Sequence, residues 1–275
     1  MEQPAVALVG AGQMGGALVR GWLAAIRRGG GLTLTVVEPN FDPALERELD
    51  AAGAVLNPAG GDVADVVVFA VKPQAFAEVA AGAKRFIGPK SLVLSVMAGV
   101  TISSISRTLE TDRVIRAMPN TPGQIGHGVT AFVASNACDA GDRDLAAQLL
   151  EPLGVVELIP NERLMDVVTA VSGSGPAYVF LLAEFLAAAA EAEGLDRDIA
   201  ARLARQTVAG AGALMLETGE SASNLRKQVT SPGGTTQAAL DVLQAGDGLG
   251  PVLRRAVAAA TQRSRELGRD AEGQT

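Results

Sequence analysis

The stretch "VALVGAGQMGGAL" constrains this chain more than any other. An unbroken apolar run meets Gly10, Gly12 and Gly15, spaced as GxGxxG, and a helical pattern begins at once. A strand that must turn back into a helix so abruptly has few solutions, and these glycines fit one of them. Gly10 makes the tight turn, Gly12 leaves the backbone bare for a closely approaching anion, and Gly15 lets helix and strand touch. The helix start presents backbone N–H groups without intrahelical acceptors, and the peptide dipoles favour negative charge there. The expected occupant is the pyrophosphate of a dinucleotide; the plainer alternative is a strand–glycine turn–helix with no ligand.

The rest of the first half fits that start. "AVALV" (5–9), "LTLTVVE" (32–38), "VVVFAV" (66–71), "LVLSV" (92–96) and "RVIRA" (113–117) are strand-like. Unbroken apolar runs suit strands covered on both faces, as in parallel sheets. Between the first two, Leu18, Trp22 and Ile26 fall four apart, which is a helical stripe. The pattern predicts a doubly wound α/β domain over residues 1–160, a Rossmann-like parallel sheet.

After about residue 160 the strand signals stop. Residues 161–275 are expected to form an all-helical domain. Pro176 falls near a first helical position, Gly194 suits a C′ position, and Asp196 suits the cap of the next helix, where Ile199, Leu203, Gly210 and Leu214 share a face. The closing "DAEGQT" reads as a frayed tail. "AYVFLLAEFLAAAA" (177–190) is shorter than the ~20 residues of a membrane span and fits a buried helix. A helix apolar on all sides cannot be left half exposed in a small helical domain. A homodimer is therefore expected.

Charge narrows the partners. A net charge of −7 and a pI near 4.9 argue against nucleic acid or an anionic membrane. The single cysteine, Cys138, excludes a disulfide framework and a thiolate metal cluster, and no metal site is expected. "MEQPAVALVG" has neither a basic n-region nor a long apolar h-region, so a soluble cytoplasmic protein is expected.

Glu38 ends the second strand, where a carboxylate accepts from the adenosine ribose 2′-OH. It would also repel the 2′-phosphate of NADP: charges ~4 Å apart cost about 1 kcal/mol in water and about 4 at an effective dielectric of 20. That favours NADH unless the side chain swings into solvent, and the alternative is a solvated loop carboxylate. Lys72, in "AVKPQ", follows the central strand at the sheet edge where such folds bind ligands; the alternative is a surface lysine.

A second cradle lies at "VTSPGGTTQAAL" (229–240). Here a Pro-Gly-Gly turn opens a helix flanked by the hydroxyls of Thr230, Ser231, Thr235 and Thr236. A small carboxylate suits it, gaining ~0.3–1 kcal/mol from the dipole and roughly 1.5–3 per charge-assisted hydrogen bond. The alternative is a connector with Thr235 or Thr236 as N-cap. A third run, "VSGSGPAY" (171–178), places small residues where a flat ring can lie, or is simply a cap and turn at the domain boundary.

What is missing matters as much. Reducing a ketone needs a proton donor at the developing alkoxide, usually His, Lys or Tyr. The chain has one His, His127 in a loop-like setting, one Tyr, Tyr178, and four Lys, none in the long Ala-rich helix. A glycine-and-hydroxyl site suits instead a substrate that already carries its proton, such as an iminium ion.

Together, "GAGQMG", "AVKPQ", "AGVTISSI", "RAMPNTP", "VSGSGPAY" and "VTSPGGTTQAAL" resemble pyrroline-5-carboxylate reductases, in that family's order. The resemblance implies an enzyme that reduces 1-pyrroline-5-carboxylate to L-proline with NAD(P)H, ending proline biosynthesis. It implies a nucleotide domain, a helical dimerisation domain with the active site in the cleft between them, and dimers that assemble further, often into decamers. By the resemblance, Gly10, Ala11, Gln13 and Met14 line the pyrophosphate, and Asn57 stands at the spacing of a cofactor-binding asparagine. Ala70, Lys72, Ala98 and Gly99 flank the dinucleotide, and Asn120-Thr121-Pro122 lie near the nicotinamide. Ser231, Gly234 and Thr235 hold the substrate carboxylate, Thr236 bonds the ring nitrogen, and Gln228 and Glu220 fall close to the substrate. Glu38-Pro39 departs from a family pattern that favours NADPH. A reductase of another small acid or cyclic imine and a dinucleotide-sensing regulator without turnover are the rival readings.

Overall fold

The computed structural model describes residues 3–272. Its strands are β1 (Ala5–Val9), β2 (Thr33–Val37), β3 (Val55–Leu56), β4 (Val66–Phe69), β5 (Leu92–Ser95), β6 (Val114–Met118), β7 (Gly128–Ala134) and β8 (Gly154–Leu158). They form one sheet in the order β3-β2-β1-β4-β5-β6-β7-β8. The first six follow the 3-2-1-4-5-6 order of the dinucleotide-binding folds and pair in parallel, while β7 runs antiparallel to β6.

The helices are α1 (Gln13–Arg27), α2 (Pro43–Ala51), α3 (Phe76–Ala83), α4 (Ile102–Leu109), α5 (Ala140–Leu150), α6 (Met165–Val168), α7 (Gly175–Ala192), α8 (Arg197–Thr218), α9 (Ala222–Gln228), α10 (Thr235–Leu243) and α11 (Leu249–Glu272). Two compact units result: the chain through Gly173 together with the segment from Ala260 onward, and Ser174–Ala259. The boundary between them falls inside α11.

Alternation along each strand builds the core of the first unit. Val6, Leu8, Val66, Val68, Leu92 and Leu94 point to one face, against Leu18, Trp22, Leu45, Leu49 and Leu149 of α1, α2 and α5. Ala7, Val9, Val67, Phe69 and Val93 point to the other, against Phe76, Ala80, Ile105 and Leu109 of α3 and α4. All of Val66–Phe69 is inaccessible to solvent, which explains why that stretch is apolar without a break. Each such side chain contributes ~1.5–3 kcal/mol by its burial. Trp22 adds a directional tie, its indole N–H donating to the Leu149 carbonyl at 2.8 Å.

The expected five strands are all present, and β3, β7 and β8 are additional. β3 is a two-residue edge, and β8 is largely exposed, so neither carries a core-like apolar run. Asp196 caps α8, accepting from the Asp198 and Ile199 N–H groups, and Gly194 has the left-handed φ of +97°. The expected tail is corrected in part: α11 continues to Glu272, and the rest of that tail, residues 273–275, lies outside the described residues.

In the helical unit, α7 packs beside α8. None of the residues of α7 is buried in the single chain, so the burial expected of this helix is left to the second chain that the sequence calls for. Phe180 is 66% and Phe185 63% exposed, with Leu181, Leu182 and Leu186 also open. The face of Ile199, Leu203 and Leu214 on α8 is exposed too, whereas Ala200 and Ala204 are buried. By length and composition the stretch Glu162–Ala192 is apolar enough to cross a membrane.

Candidate functional site

The glycine turn after β1 has the expected division of labour. Gly10 has a φ of +94°, and a Cβ there would lie 2.7 Å from Val71 Cγ1 and 2.8 Å from the Ala70 carbonyl oxygen. A Cβ on Gly15 would lie 2.0 Å from the Gly10 carbonyl oxygen, so α1 packs directly on the backbone of the turn that leaves β1. At Gly12 a Cβ would meet nothing within 4 Å. Gly12 is the N-cap of α1, no side chain caps it, and the first turn carries no acidic residue. A bare, uncapped start facing open space fits a dinucleotide pyrophosphate.

Glu38, one residue beyond β2, reaches into this turn. One carboxylate oxygen accepts from the Ala11 N–H at 2.8 Å and the other from the Asn40 N–H at 2.9 Å. Asn57 holds the same residue by its backbone. Its Oδ1 accepts from the Glu38 N–H at 2.9 Å, and its Nδ2 donates to the Glu38 carbonyl at 2.8 Å. Asn57 does this from a φ of 43°, a left-handed conformation that asparagine tolerates better than most residues.

Ala70, Lys72, Ala98 and Gly99 lie in the segments that leave the C-terminal ends of β4 and β5. Lys72 and Ala98 are exposed, and Gly99 has a φ of +76°. Asn120 precedes a tight turn, Thr121–Ile125. Its carboxamide is engaged with protein at both ends: Oδ1 accepts from the Val129 N–H at 2.9 Å, and Nδ2 donates to the Ser172 carbonyl at 3.2 Å. His127 is exposed just beyond this turn.

Gly99 also borders a charged cavity of about 480 Å³, lined by Arg116, Glu162, Asp166 and Arg265 among others. Arg116 is buried and pairs with Glu162 at 2.8 Å; the same Glu162 oxygen accepts from the Ile102 N–H at 2.9 Å, fixing the start of α4. Sequence reasoning singled out neither residue, because they are 46 positions apart.

The second cradle lies in the helical unit. Gly233 has a φ of +69°, and Gly234 is the N-cap of α10, again without a capping side chain. The alternative of Thr235 or Thr236 as cap is therefore not what forms. Both threonines stand in the first turn, and the Gly234 N–H donates to the Ser231 carbonyl at 3.0 Å. The Thr230 hydroxyl donates back to the Arg226 carbonyl at 2.6 Å, which ties it to α9. Glu220 and Gln228, eight residues apart, are brought together: the Gln228 amide donates to the Glu220 carboxylate at 2.7 Å. The third glycine run begins in a π-helical turn, Thr169–Gly173, where Thr169 and Ser172 hydroxyls bond carbonyls one turn back. Such turns recur at functional sites.

A doubly wound sheet with this glycine turn, in a chain that continues into a helical unit, defines a dinucleotide-binding protein. Known proteins make the class specific. Residues 5–99 match the family model described as NADP oxidoreductase coenzyme F420-dependent, and residues 162–267 match that of pyrroline-5-carboxylate reductase dimerisation. The chain is 37% identical to the pyrroline-5-carboxylate reductase of Pseudomonas aeruginosa, covering 97% of this chain and 98% of that one. It is 36% identical to that of Glycine max, covering 97% of each. Among solved structures, that of a Coxiella burnetii pyrroline-5-carboxylate reductase has a TM-score of 0.88 at 36% identity, covering 97% of this chain and 99% of that one. The Plasmodium falciparum pyrroline carboxylate reductase with NADP bound has a TM-score of 0.76 at 26% identity, covering 98% and 99%. The chain belongs to the pyrroline-5-carboxylate reductase family.

Proposed function

We propose that this chain reduces 1-pyrroline-5-carboxylate to L-proline, the last step of proline biosynthesis. The observation that carries the reading is a pair of glycine helix starts with no capping side chain, Gly12 and Gly234, one suited to a pyrophosphate and one to a small acid. When bound, NAD(P)H supplies the hydride. The turn Gly10–Gly15 seats its pyrophosphate, and Ala70, Lys72, Ala98 and Gly99 border the dinucleotide. Asn120 acts there by bracing its turn, since its carboxamide is taken up by protein groups.

Ser231 and Thr235 hold the substrate carboxylate at the helix start that Gly234 leaves bare, its own N–H being taken by the Ser231 carbonyl, and the Thr236 hydroxyl orients the ring nitrogen. The Glu220–Gln228 pair borders this site. A protonated C=N accepts hydride at carbon and becomes the amine with no further proton, so no side-chain acid is required. The protein's contribution is alignment and exclusion of water, and near-attack alignment supplies several kcal/mol of the barrier. The division of labour follows the chain: residues 1–160 bind cofactor, and 161–275 bind substrate and dimerise.

The working unit is a homodimer that covers the exposed apolar residues of α7, and dimers assemble further into a decamer. Its setting is the cytoplasm, with neither nucleic acid nor membrane as partner. The test follows NADH and NADPH oxidation with pyrroline-5-carboxylate and then with 2-keto acids. Turnover of the imine alone is expected. Preferred turnover of a keto acid favours the small-acid rival, and binding without turnover favours the sensor.

A further inference from the structure

Resting on that dinucleotide reading, we infer that Glu38, clamped by Asn57, selects NADH over NADPH. The swing of Glu38 into solvent, which would erase discrimination, is opposed by two backbone N–H groups, one on each carboxylate oxygen. With Glu38 in place Ala11 is only 7% exposed, and the carboxylate is the partner of its N–H. The backbone of Glu38 is equally fixed, because Asn57 satisfies both its N–H and its carbonyl.

A carboxylate is an acceptor-only group with roughly four lone-pair sites. Ala11 and Asn40 use two, which leaves capacity for ribose hydroxyls that donate. A 2′-phosphate replaces that donor with acceptor oxygens and about −1.5 to −2 of charge. Repulsion at ~4 Å corresponds to about fivefold in a water-like dielectric and several hundredfold at an effective dielectric of 20. The charges of Arg20 and Arg47 act on the Asp42 carboxylate. Asn57 is thus a positioning residue, acting through Glu38.

The test is a fluorescence titration of the whole protein with NADH and with NADPH, which reads binding independently of turnover. Wild type is expected to bind NADH at least about tenfold more tightly. Glu38→Gln keeps the size and removes the charge, and is expected to bring the ratio below about threefold. Asn57→Gly keeps the left-handed backbone and loses the clamp, and is expected to narrow the ratio rather than weaken both nucleotides equally. Equal or tighter NADPH binding by wild type overturns the inference, as does an unchanged ratio in Glu38→Gln. A wild-type ratio in Asn57→Gly overturns the positioning role. Binding of neither nucleotide would instead defeat the dinucleotide reading beneath it, so the two failures are distinguishable.

Discussion

Replacing Gly12 and Gly15 separately by alanine should divide binding from stability within a single turn. At Gly15 the new methyl would start 2.0 Å from the Gly10 carbonyl oxygen, a backbone atom, and 3.2 Å from Ala70 Cβ. Relief requires α1 to move by about 1 Å in an interior packed at crystal-like density, disturbing fully buried Leu18 and nearly buried Trp22. Overpacking of this kind costs ~1–3 kcal/mol, and a backbone obstacle puts Gly15→Ala at the upper end. At ~2–4 °C per kcal/mol for a unit of this size, Tm falls by about 6–12 °C. At Gly12 the methyl meets nothing, and φ is −66°, so the apo protein should keep its Tm within a few degrees. On the proposed reading, that methyl occupies the space that the pyrophosphate takes. Wild type at a hundredfold excess over Kd gains ~2.7 kcal/mol from the dinucleotide, and that gain should largely vanish in Gly12→Ala. Thermal melts with and without NADH read both effects at once. A Gly12→Ala protein that melts normally and is still fully stabilised by dinucleotide would refute the assignment of this turn to the pyrophosphate.

Thr236→Ala should lower kcat/KM for pyrroline-5-carboxylate by ~1–3 kcal/mol, the size of one specific hydrogen bond, and leave dinucleotide affinity alone; wild-type kinetics would remove Thr236 from the mechanism. Phe185→Glu puts a charge into the exposed apolar face of α7, and sedimentation should report monomers where wild type is dimeric; a wild-type monomer would contradict the dimer outright. Acid should destabilise the fold in a defined direction. Backbone N–H groups of Leu45 and Ala44 hold Asp42 below its usual 3.8, the Lys84 ammonium holds Glu110 below 4.5, and Gln262 with Arg263 holds Glu266 below 4.5. Carboxylates lowered on folding stabilise fully above their unfolded values and lose that contribution as pH falls through the folded ones. The urea midpoint should therefore hold at neutral pH and fall below about pH 4.5.

Periodicity made the nucleotide unit readable, because Val66–Phe69 and its neighbours must alternate between two covered faces and only strands do so. Local capping was readable for the same reason of proximity: Asp196 reaches N–H groups two and three residues away. The arrangement around Glu38 was not, since its partners include Ala11, 27 positions back, and Asn57, 19 ahead, and no local pattern encodes such pairs. β7 escaped because its apolar residues follow a glycine-rich turn that reads as loop. The exposure of α7 in the single chain was legible only as the need for a second chain, not residue by residue. An all-round apolar helix reports that it will be covered, and says nothing of which of its residues its own chain leaves open.

The indole bonded to Leu149 gives this molecule a built-in reporter. Trp22 is the chain's only tryptophan and lies in the nucleotide unit, whereas its only tyrosine, Tyr178, lies in the helical one. Selective excitation therefore watches one half of the chain while the other stays dark. Reduced nicotinamide absorbs where indole emits, so quenching of that one emitter would count occupied nucleotide turns with no label attached.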